Sequence, residues 1–152
     1  MKKVYLLACF FLLATAGFAQ PKFKIDKNTG LVTVAGKPAF RYERDGCGLG
    51  DGMCGYDVYD TSGTRVLRIL MKTQQSRRLI THENPKGEVS YFQFLFVQSK
   101  QSADVASVAG WERSMVSFIL QHKLFRNGLL DAERAEEFIL LYGTPYSSLL
   151  PY

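Results

Sequence analysis

Apolar and polar residues alternate along much of the chain before Ser99, and this pattern predicts β-strands. Short β-prone runs are separated by turn signals such as Asp60-Thr61-Ser62-Gly63, which is typical of an antiparallel meander. The predicted strands cover residues 23–25, 31–35, 39–44, 56–59, 65–72, 77–83 and 88–98. We therefore expect an antiparallel β-meander sheet of about five to seven strands.

The last predicted strand is apolar on both of its faces. Phe92, Phe94 and Phe96 fall on one face, and Tyr91 and Leu95 fall on the other, because side chains alternate between the faces of a strand. An antiparallel sheet commonly leaves one face in water. We therefore expect elements from the C-terminal third of the chain to pack on this sheet.

The C-terminal third has the apolar spacing of two amphipathic helices. The apolar positions recur every three or four residues, and they are Trp111, Met115, Phe118, Ile119 and His122 in one stripe and Ala132, Ala135, Phe138, Ile139 and Tyr142 in the other. Arg126-Asn127-Gly128 is predicted to end the first helix, and Asp131 is predicted to cap the second. Gly143 and Pro145 are predicted to end it.

Strands followed by helices indicate an α+β fold. We expect a C-terminal two-helix hairpin packed on one face of the meander. Residues 20–152 are enough for one domain with a single core, and they contain no segment that reads as a linker.

The first residues have the three parts of a secretory signal. Lys2 and Lys3 precede an uncharged apolar run over residues 4–14, and small residues follow up to Ala19. The run is shorter than the roughly 20 apolar residues that cross a bilayer. We predict that residues 1–19 are a signal peptide cleaved after Ala19, leaving a periplasmic or secreted protein without a transmembrane span.

A lipoprotein signal is the alternative interpretation of this segment. Leu6-Leu7-Ala8-Cys9 has the residue pattern of a lipobox, and acylation of Cys9 would anchor the protein to a membrane. Cleavage before Cys9 would leave an apolar run of only residues 4–7, shorter than the usual length of about 7 to 15 residues. This geometry favours cleavage after Ala19.

The charge pattern argues against nucleic acid as a partner. The formal net charge is +5, and Lys2 and Lys3 contribute two of these charges. The other basic residues are scattered, whereas a nucleic-acid footprint clusters them on one face beside aromatic platforms. The partner stays open; one alternative is a protein that contacts the apolar C-terminal residues Leu149, Leu150 and Tyr152.

Two cysteines remain once Cys9 leaves with the signal. Cys47 and Cys54 lie in a glycine-rich loop and would meet an oxidising compartment, where disulfides persist. A redox pair would be spaced C-x-x-C, and zinc would need two further ligands. We predict a structural Cys47–Cys54 disulfide, worth roughly 2.5 kcal/mol by the chain-entropy relation.

Four short segments resemble a family of small exported bacterial proteins. They are KIDKNTG and VTVAGKP over residues 24–30 and 32–38, and LFRNGLLD and FILLYGTP over residues 124–131 and 138–145. The motifs consist of turn and cap residues around apolar positions. The resemblance implies export and a single domain, and it implies no activity, cofactor or site residue.

The segment Gly50-Asp51-Gly52-Met53-Cys54-Gly55 is a literal match to G-x-G-x-x-G. A dinucleotide site requires such a loop to follow a strand and to open a helix. Here residues 56–59 read as a strand instead. We therefore predict no cofactor, and we expect the glycines to let the loop fold tightly.

Four acids flank the same loop, namely Asp45, Asp51, Asp57 and Asp60. Calcium takes 6 to 8 oxygen ligands, but the D-x-[DN]-x-[DN]-G pattern of a calcium loop is absent. Turn chemistry accounts for most of these acids. We predict no metal site, and a calcium-stabilised exported domain is kept as an alternative.

The sequence contains two histidines, His82 on a predicted polar strand beside Glu83 and His122 on the first helical stripe. Neither lies at a spacing that indicates a catalytic triad, although such partners meet in space. We predict no catalytic residue and favour a non-enzymatic interaction or ligand-binding module. The alternative is a hydrolase with its site near residues 45–60 and His82.

Overall fold

The computed structural model describes residues 22–46, 55–106 and 111–145, which form an α+β fold. Seven antiparallel strands form one sheet in chain order, so each strand pairs with its neighbours in the sequence. The strands are β1 (Phe23–Ile25), β2 (Leu31–Val34), β3 (Lys37–Asp45), β4 (Gly55–Tyr59), β5 (Arg65–Gln75), β6 (Glu88–Phe96) and β7 (Ser102–Ala106). The predicted meander is confirmed.

Two of the predicted turns are closed by aspartate side chains. In the β1–β2 turn, Oδ1 of Asp26 accepts a hydrogen bond from the backbone N–H of Asn28 at 2.9 Å. In the β4–β5 turn, Oδ1 of Asp60 accepts from the backbone N–H groups of Ser62 and Thr64 at 2.9 and 3.0 Å. Aspartate favours such turns because its short carboxylate mimics a backbone acceptor.

Two helices pack on the phenylalanine face of the sheet. They are α1 (Trp111–Gln121) and α2 (Ala132–Tyr142), joined by a short hairpin, β8 (Phe125–Arg126) and β9 (Leu129–Leu130). The ring of Phe138 in α2 lies 5.1 Å from the ring of Phe94 in β6. The predicted helical hairpin on one face of the sheet is therefore confirmed.

The core lies between this sheet face and the helices. Its fully buried large side chains come from both layers, and they are Val32, Phe40, Val58, Val66, Leu67, Ile69, Phe92, Phe94, Met115, Ile119, Leu124 and Phe138. Each such side chain contributes about 1.5 to 3 kcal/mol through removal from water. The apolar face that alternation predicts for the sheet therefore packs against the apolar stripes of the helices.

The prediction of a strand over residues 77–83 is wrong. β5 continues to Gln75 and pairs there with Glu88, and the chain between them forms a 3₁₀ turn at Arg77–Leu79. Asn84 closes this loop, because its side chain donates to the carbonyl of Glu88 and accepts from the N–H of the same residue. The segment has no apolar face to bury against the helices. It therefore forms a loop instead of a further strand.

The first helix ends earlier than predicted. Lys123 adopts a left-handed φ of 52°, and the N–H of Leu124 donates to the carbonyl of Ile119 at 3.1 Å, which is the Schellman arrangement. Asn127 and Gly128, with φ values of 53° and 82°, form the turn of the β8–β9 hairpin instead. The Asn-Gly signal therefore marks a hairpin turn rather than a helix end.

β7 has no counterpart among the sequence predictions. Its residues, Ser102 to Ala106, have low β-propensity apart from Val105. Ala103 and Val105 are nevertheless buried, because β7 pairs along β6 and contacts α2. Tertiary packing here outweighs the local preference of the chain.

Among the described residues, neither helix has the length and apolar character needed to cross a bilayer. The predicted signal over residues 1–19 lies outside the described residues, as do Cys9, Cys47, Cys54 and the C-terminal residues 146–152. The signal, the lipobox alternative and the disulfide therefore stay predictions.

Candidate functional site

A groove lies where the β1–β2 turn, β3 and the start of α1 meet. It encloses about 670 Å³, which is within the range of small-molecule sites. Its wall carries polar and charged side chains from segments far apart in the sequence, and the lining residues are Lys27, Asn28, Thr29, Gly30, Tyr42, Glu43, Arg44 and Glu112.

Gly30 sets the position of the β1–β2 turn against β3. Its φ is +68°, and a Cβ atom added there would lie 1.9 Å from the carbonyl oxygen of Tyr42. The N–H of Tyr42 donates to the carbonyl of Gly30 at 3.0 Å. Because only glycine combines this conformation with so close an approach, Gly30 fixes one wall of the groove.

Tyr42, which lines the groove, belongs to a network of polar side chains that is buried at its two tyrosines and exposed at Arg44. Tyr42 on β3 and Tyr56 on β4 are 5% and 3% exposed, and their rings meet edge to face at 5.9 Å. The charge of Glu112 acts on the Tyr42 hydroxyl, and the charge of Arg44 acts on the Tyr56 hydroxyl. Arg44 and Glu112 form an ion pair that closes the network.

This network ties the first turn of α1 to the sheet. Glu112 is in that first turn, where a carboxylate is favoured by the helix dipole. Burial, followed by the charge of Glu112, raises the pKa of Tyr42 to about 12. Burial also raises the pKa of Tyr56. Both hydroxyls consequently keep their protons at neutral pH.

The charges lining the groove differ in how fully they are paired. Arg44 is paired with Glu112, and Glu43 is paired with Arg41, whose guanidinium also lies 4.7 Å from the ring centre of Tyr59. Lys27 forms no ion pair among the described residues. Lys27 is thus a cation lining the groove that has no ion-pair partner in the described part of the chain.

Two smaller grooves flank α1. One, of about 260 Å³, lies between the β2–β3 hairpin and the end of α1, and it is lined largely by apolar side chains that include Ile119 and Phe125. The other, of about 210 Å³, is bounded by His122, Arg134 and Glu137. Arg134 and Glu137 pair with each other there.

His122 belongs to an aromatic cluster between the ends of the two helices. Its ring lies 4.9 Å from Phe118 and 5.1 Å from Phe138, and its Nε2 lies 3.3 Å from the Tyr142 hydroxyl. Burial lowers the pKa of His122, and the charge of Glu137 opposes this effect. The geometry is that of a packed, hydrogen-bonded histidine.

Two of the acids that flank the glycine-rich loop, Asp45 and Asp57, pair with arginines of β5. The Asp57 carboxylate, on a residue 9% exposed, lies 3.5 Å from Arg65 and 3.6 Å from Arg68 on β5. Arg68 also contacts Asp45 at 2.7 Å. Asp57 and Arg68 are direct cross-strand partners, so their charges support the register of β4 and β5.

Asp60 serves the β4–β5 turn, as turn chemistry predicts. Burial acts to raise the pKa of its carboxyl, but the hydrogen bonds from Ser62 and Thr64 together with that from Gly63 outweigh burial, so the pKa is lowered. Asp51 lies outside the described residues. Within the described part of the chain, no three histidine, cysteine, aspartate or glutamate side chains are close enough to hold a metal ion.

His82 and Glu83 are exposed in the turn between β5 and β6, not on a strand. Asp57 pairs with Arg68 on β5. From Arg68 the strand continues for about 23 Å to its end at Gln75, and His82 follows after that end. A general base must lie within hydrogen-bond reach of its partner. The described residues therefore do not bring His82 together with Asp57.

The glycine motif over residues 50–55 lies outside the described residues except for its last member. Gly55 begins β4, so a strand follows the motif, as the sequence predicts. An added Cβ at Gly55 would lie 3.2 Å from the carbonyl oxygen of Asp45 and 3.5 Å from Leu70. This glycine accordingly serves the close approach of β3, β4 and β5.

In comparisons with known proteins, no family model, no curated protein and no solved structure matches the chain. The resemblance to small exported bacterial proteins therefore stays an expectation from the sequence.

Proposed function

We propose that the chain is a small exported binding module, without catalytic activity, that holds a small polar molecule in the groove beside Tyr42. The observation that carries this proposal is the groove itself: about 670 Å³, with polar side chains of three separate elements converging on it. Binding sites commonly combine a preformed concavity with a few convergent polar groups.

The groove is preorganised by the residues beneath it. Gly30 holds the turn against Tyr42, and the Arg44–Glu112 pair holds α1 against β3. A ligand would therefore meet walls that are already in place, and preorganised walls reduce the entropy cost of binding.

Export is part of the same proposal and rests on the sequence. Residues 1–19 have the parts of a signal peptide, and Cys47 and Cys54 would form a disulfide in an oxidising compartment. Native mass spectrometry of protein recovered from a bacterial periplasm tests both points. The expected mass is that of a chain beginning at Gln20 and lacking two hydrogens. A chain beginning at Cys9 with an added acyl mass would overturn the proposed localisation.

The same recovered protein tests the groove. We expect wild type to carry a small molecule, or to bind one from periplasmic extract, and Asn28→Trp to lose it because the indole fills the groove. Lys86→Trp is the control, since the Lys86 side chain is 74% exposed and lies outside the groove lining. Equal retention by all three proteins would place the ligand elsewhere. No ligand with any of the three would contradict the binding function.

A further inference from the structure

We infer that the groove takes a carboxylate-bearing molecule with a hydrogen-bonding body, and that Lys27 and Asn28 receive its carboxylate. This inference rests on the proposed binding function and names the ligand class. Its basis is the difference between groups in the groove that already have partners and groups that do not.

The first argument concerns charge. Glu112 is neutralised by Arg44, and Glu43 is neutralised by Arg41 from just outside the groove. Lys27 forms no ion pair among the described residues, and the neighbouring Asp26 carboxylate is engaged by the backbone N–H groups of Asn28 and Thr29. The groove therefore favours a ligand with a single negative charge, because a second charge would have no matching cation.

The second argument concerns hydrogen-bonding capacity. The backbone N–H groups of Asn28 and Thr29 already donate to Asp26, and the hydroxyl oxygen of Thr29 accepts from Leu31. The Asn28 amide and the Lys27 ammonium have no partner among the described residues. These two neighbouring groups offer five N–H donors, which matches the acceptor-only character of a carboxylate.

The third argument concerns size. A carboxylate alone would occupy a small part of a groove of about 670 Å³. The rest of the wall presents both donors and acceptors, from Arg44, Glu43 and Glu112. The body of the ligand must therefore be polar in both senses, as the hydroxyls of a sugar or the amides of a short peptide are.

The test uses matched pairs of probes that differ in the carboxylate. The pairs are glucuronate with glucose, and acetyl-dialanine as the free acid with its carboxamide. Each is titrated up to about 10 mM, a range in which even millimolar binding is visible, into the oxidised mature chain, and the backbone amide shifts are followed by NMR. We expect the acid of at least one pair to shift the amides of residues 27–30 and 42–44 in a saturable manner. The neutral member of that pair should bind more weakly, and the responding pair identifies the body of the ligand.

Lys27→Gln tests the assigned cation. Because the charge pair would lie at an exposed rim, we expect the affinity for the acid to fall by about two- to fivefold and the affinity for the neutral probe to stay unchanged. Lys24→Gln is the matched control, since Lys24 is a nearby exposed lysine on β1 that does not line the groove. Equal losses in the two variants would overturn the assignment of Lys27.

The remaining outcomes separate this inference from the proposed function. Equal binding of acid and neutral probes would overturn the carboxylate and leave a binding groove. Equal shifts with inorganic phosphate would make the site a general oxyanion site and would also overturn the carboxylate. Absence of any shift with all four probes would overturn the ligand class, while the periplasmic ligand lost in Asn28→Trp would still support the binding function.

Discussion

Thr61 donates two hydrogen bonds to the carbonyl of Gly128, one from its backbone N–H at 2.8 Å and one from its hydroxyl at 3.1 Å. The contact joins the β4–β5 turn to the β8–β9 hairpin, which are 67 residues apart in the sequence. An added Cβ at Gly128 would lie 2.4 Å from the Thr61 hydroxyl oxygen, and the φ of Gly128 is +82°. The position therefore demands glycine for conformation and for space.

Gly128→Ala is expected to lower the free energy of unfolding by about 2 to 4 kcal/mol, through backbone strain and a clash with Thr61. Urea denaturation measures the change. Gly36→Ala is the control, because Gly36 has a similar φ of +77° but nothing lies within 4 Å of an added Cβ. Its cost should be about 1 to 2 kcal/mol, from conformation alone. Equal losses in the two variants would show that Thr61 moves away from the added Cβ without a further loss of stability.

The Phe94–Phe138 contact is the centre of the sheet–helix interface. Both side chains are fully buried, and Phe138 also lies 6.0 Å from Phe96. Phe138→Ala should therefore lower the free energy of unfolding by about 3 to 5 kcal/mol through lost burial and a residual cavity. Leu140→Ala, two residues further along α2 and 86% exposed, should change it by less than about 0.5 kcal/mol. A large effect of Leu140→Ala would mean that this exposed leucine is covered by a partner or by another part of the chain.

The sequence predicts the sheet and helices well because burial in this fold follows simple periods. Phe92, Phe94 and Phe96 alternate along β6, and Phe138 falls on the stripe of α2 that meets them. The failures occur where no such period exists. β7 is held by pairing with β6 despite weak propensity, and the segment after Gln75 is closed by Asn84 rather than by apolar contacts.

The groove could not be predicted from the sequence. Lys27, Tyr42 and Glu112 are each ordinary residues in their own segments, and only the meander topology brings them together. The sequence predicts a turn at Gly30, but it does not predict the contact of Gly30 with the Tyr42 carbonyl. That contact depends on how β1 and β2 lie against β3. Asp57 and Asp60, which a calcium site would use as ligands, engage neighbouring groups of the protein instead.

The charge of Glu112 beside Tyr42 predicts a measurable change in tyrosine ionisation. Burial is the first cause of the raised pKa of Tyr42, and the Glu112 charge is the second. Glu112→Gln should therefore lower that pKa from about 12 without returning it to the ordinary value near 10. NMR of protein carrying ¹³Cζ-labelled tyrosine follows Tyr42 through an alkaline titration. Glu133→Gln, a charge-matched change in the first turn of α2, should leave the pKa of Tyr42 unaltered. An unchanged pKa in Glu112→Gln would show that the carboxylate does not reach the hydroxyl in solution.

The His122 cluster predicts a stability that falls at mildly acidic pH. Burial lowers the pKa of His122, so the unfolded chain binds the proton more readily than the folded protein does. The contribution of the neutral ring to stability is complete above the unfolded value of about 6.5. It is lost as the pH falls through that value towards the lower folded one. Glu137 opposes the shift, and Arg134 and Lys123 border the same groove, so the size of the effect depends on all three charges.

Urea denaturation at a series of pH values between about 5 and 8 measures this effect. We expect the free energy of unfolding of the wild type to decrease towards pH 5 more steeply than that of His122→Gln, which retains a hydrogen-bonding side chain near the Tyr142 hydroxyl but does not titrate. His82→Gln is the control, because His82 is exposed and lies outside the cluster, and this variant should follow the wild-type curve. Parallel curves for wild type and His122→Gln would show that the proton binds equally well to His122 in the folded and unfolded states. Contact with water or the charge of Glu137 would then offset the cost of charging a ring packed between Phe118 and Phe138.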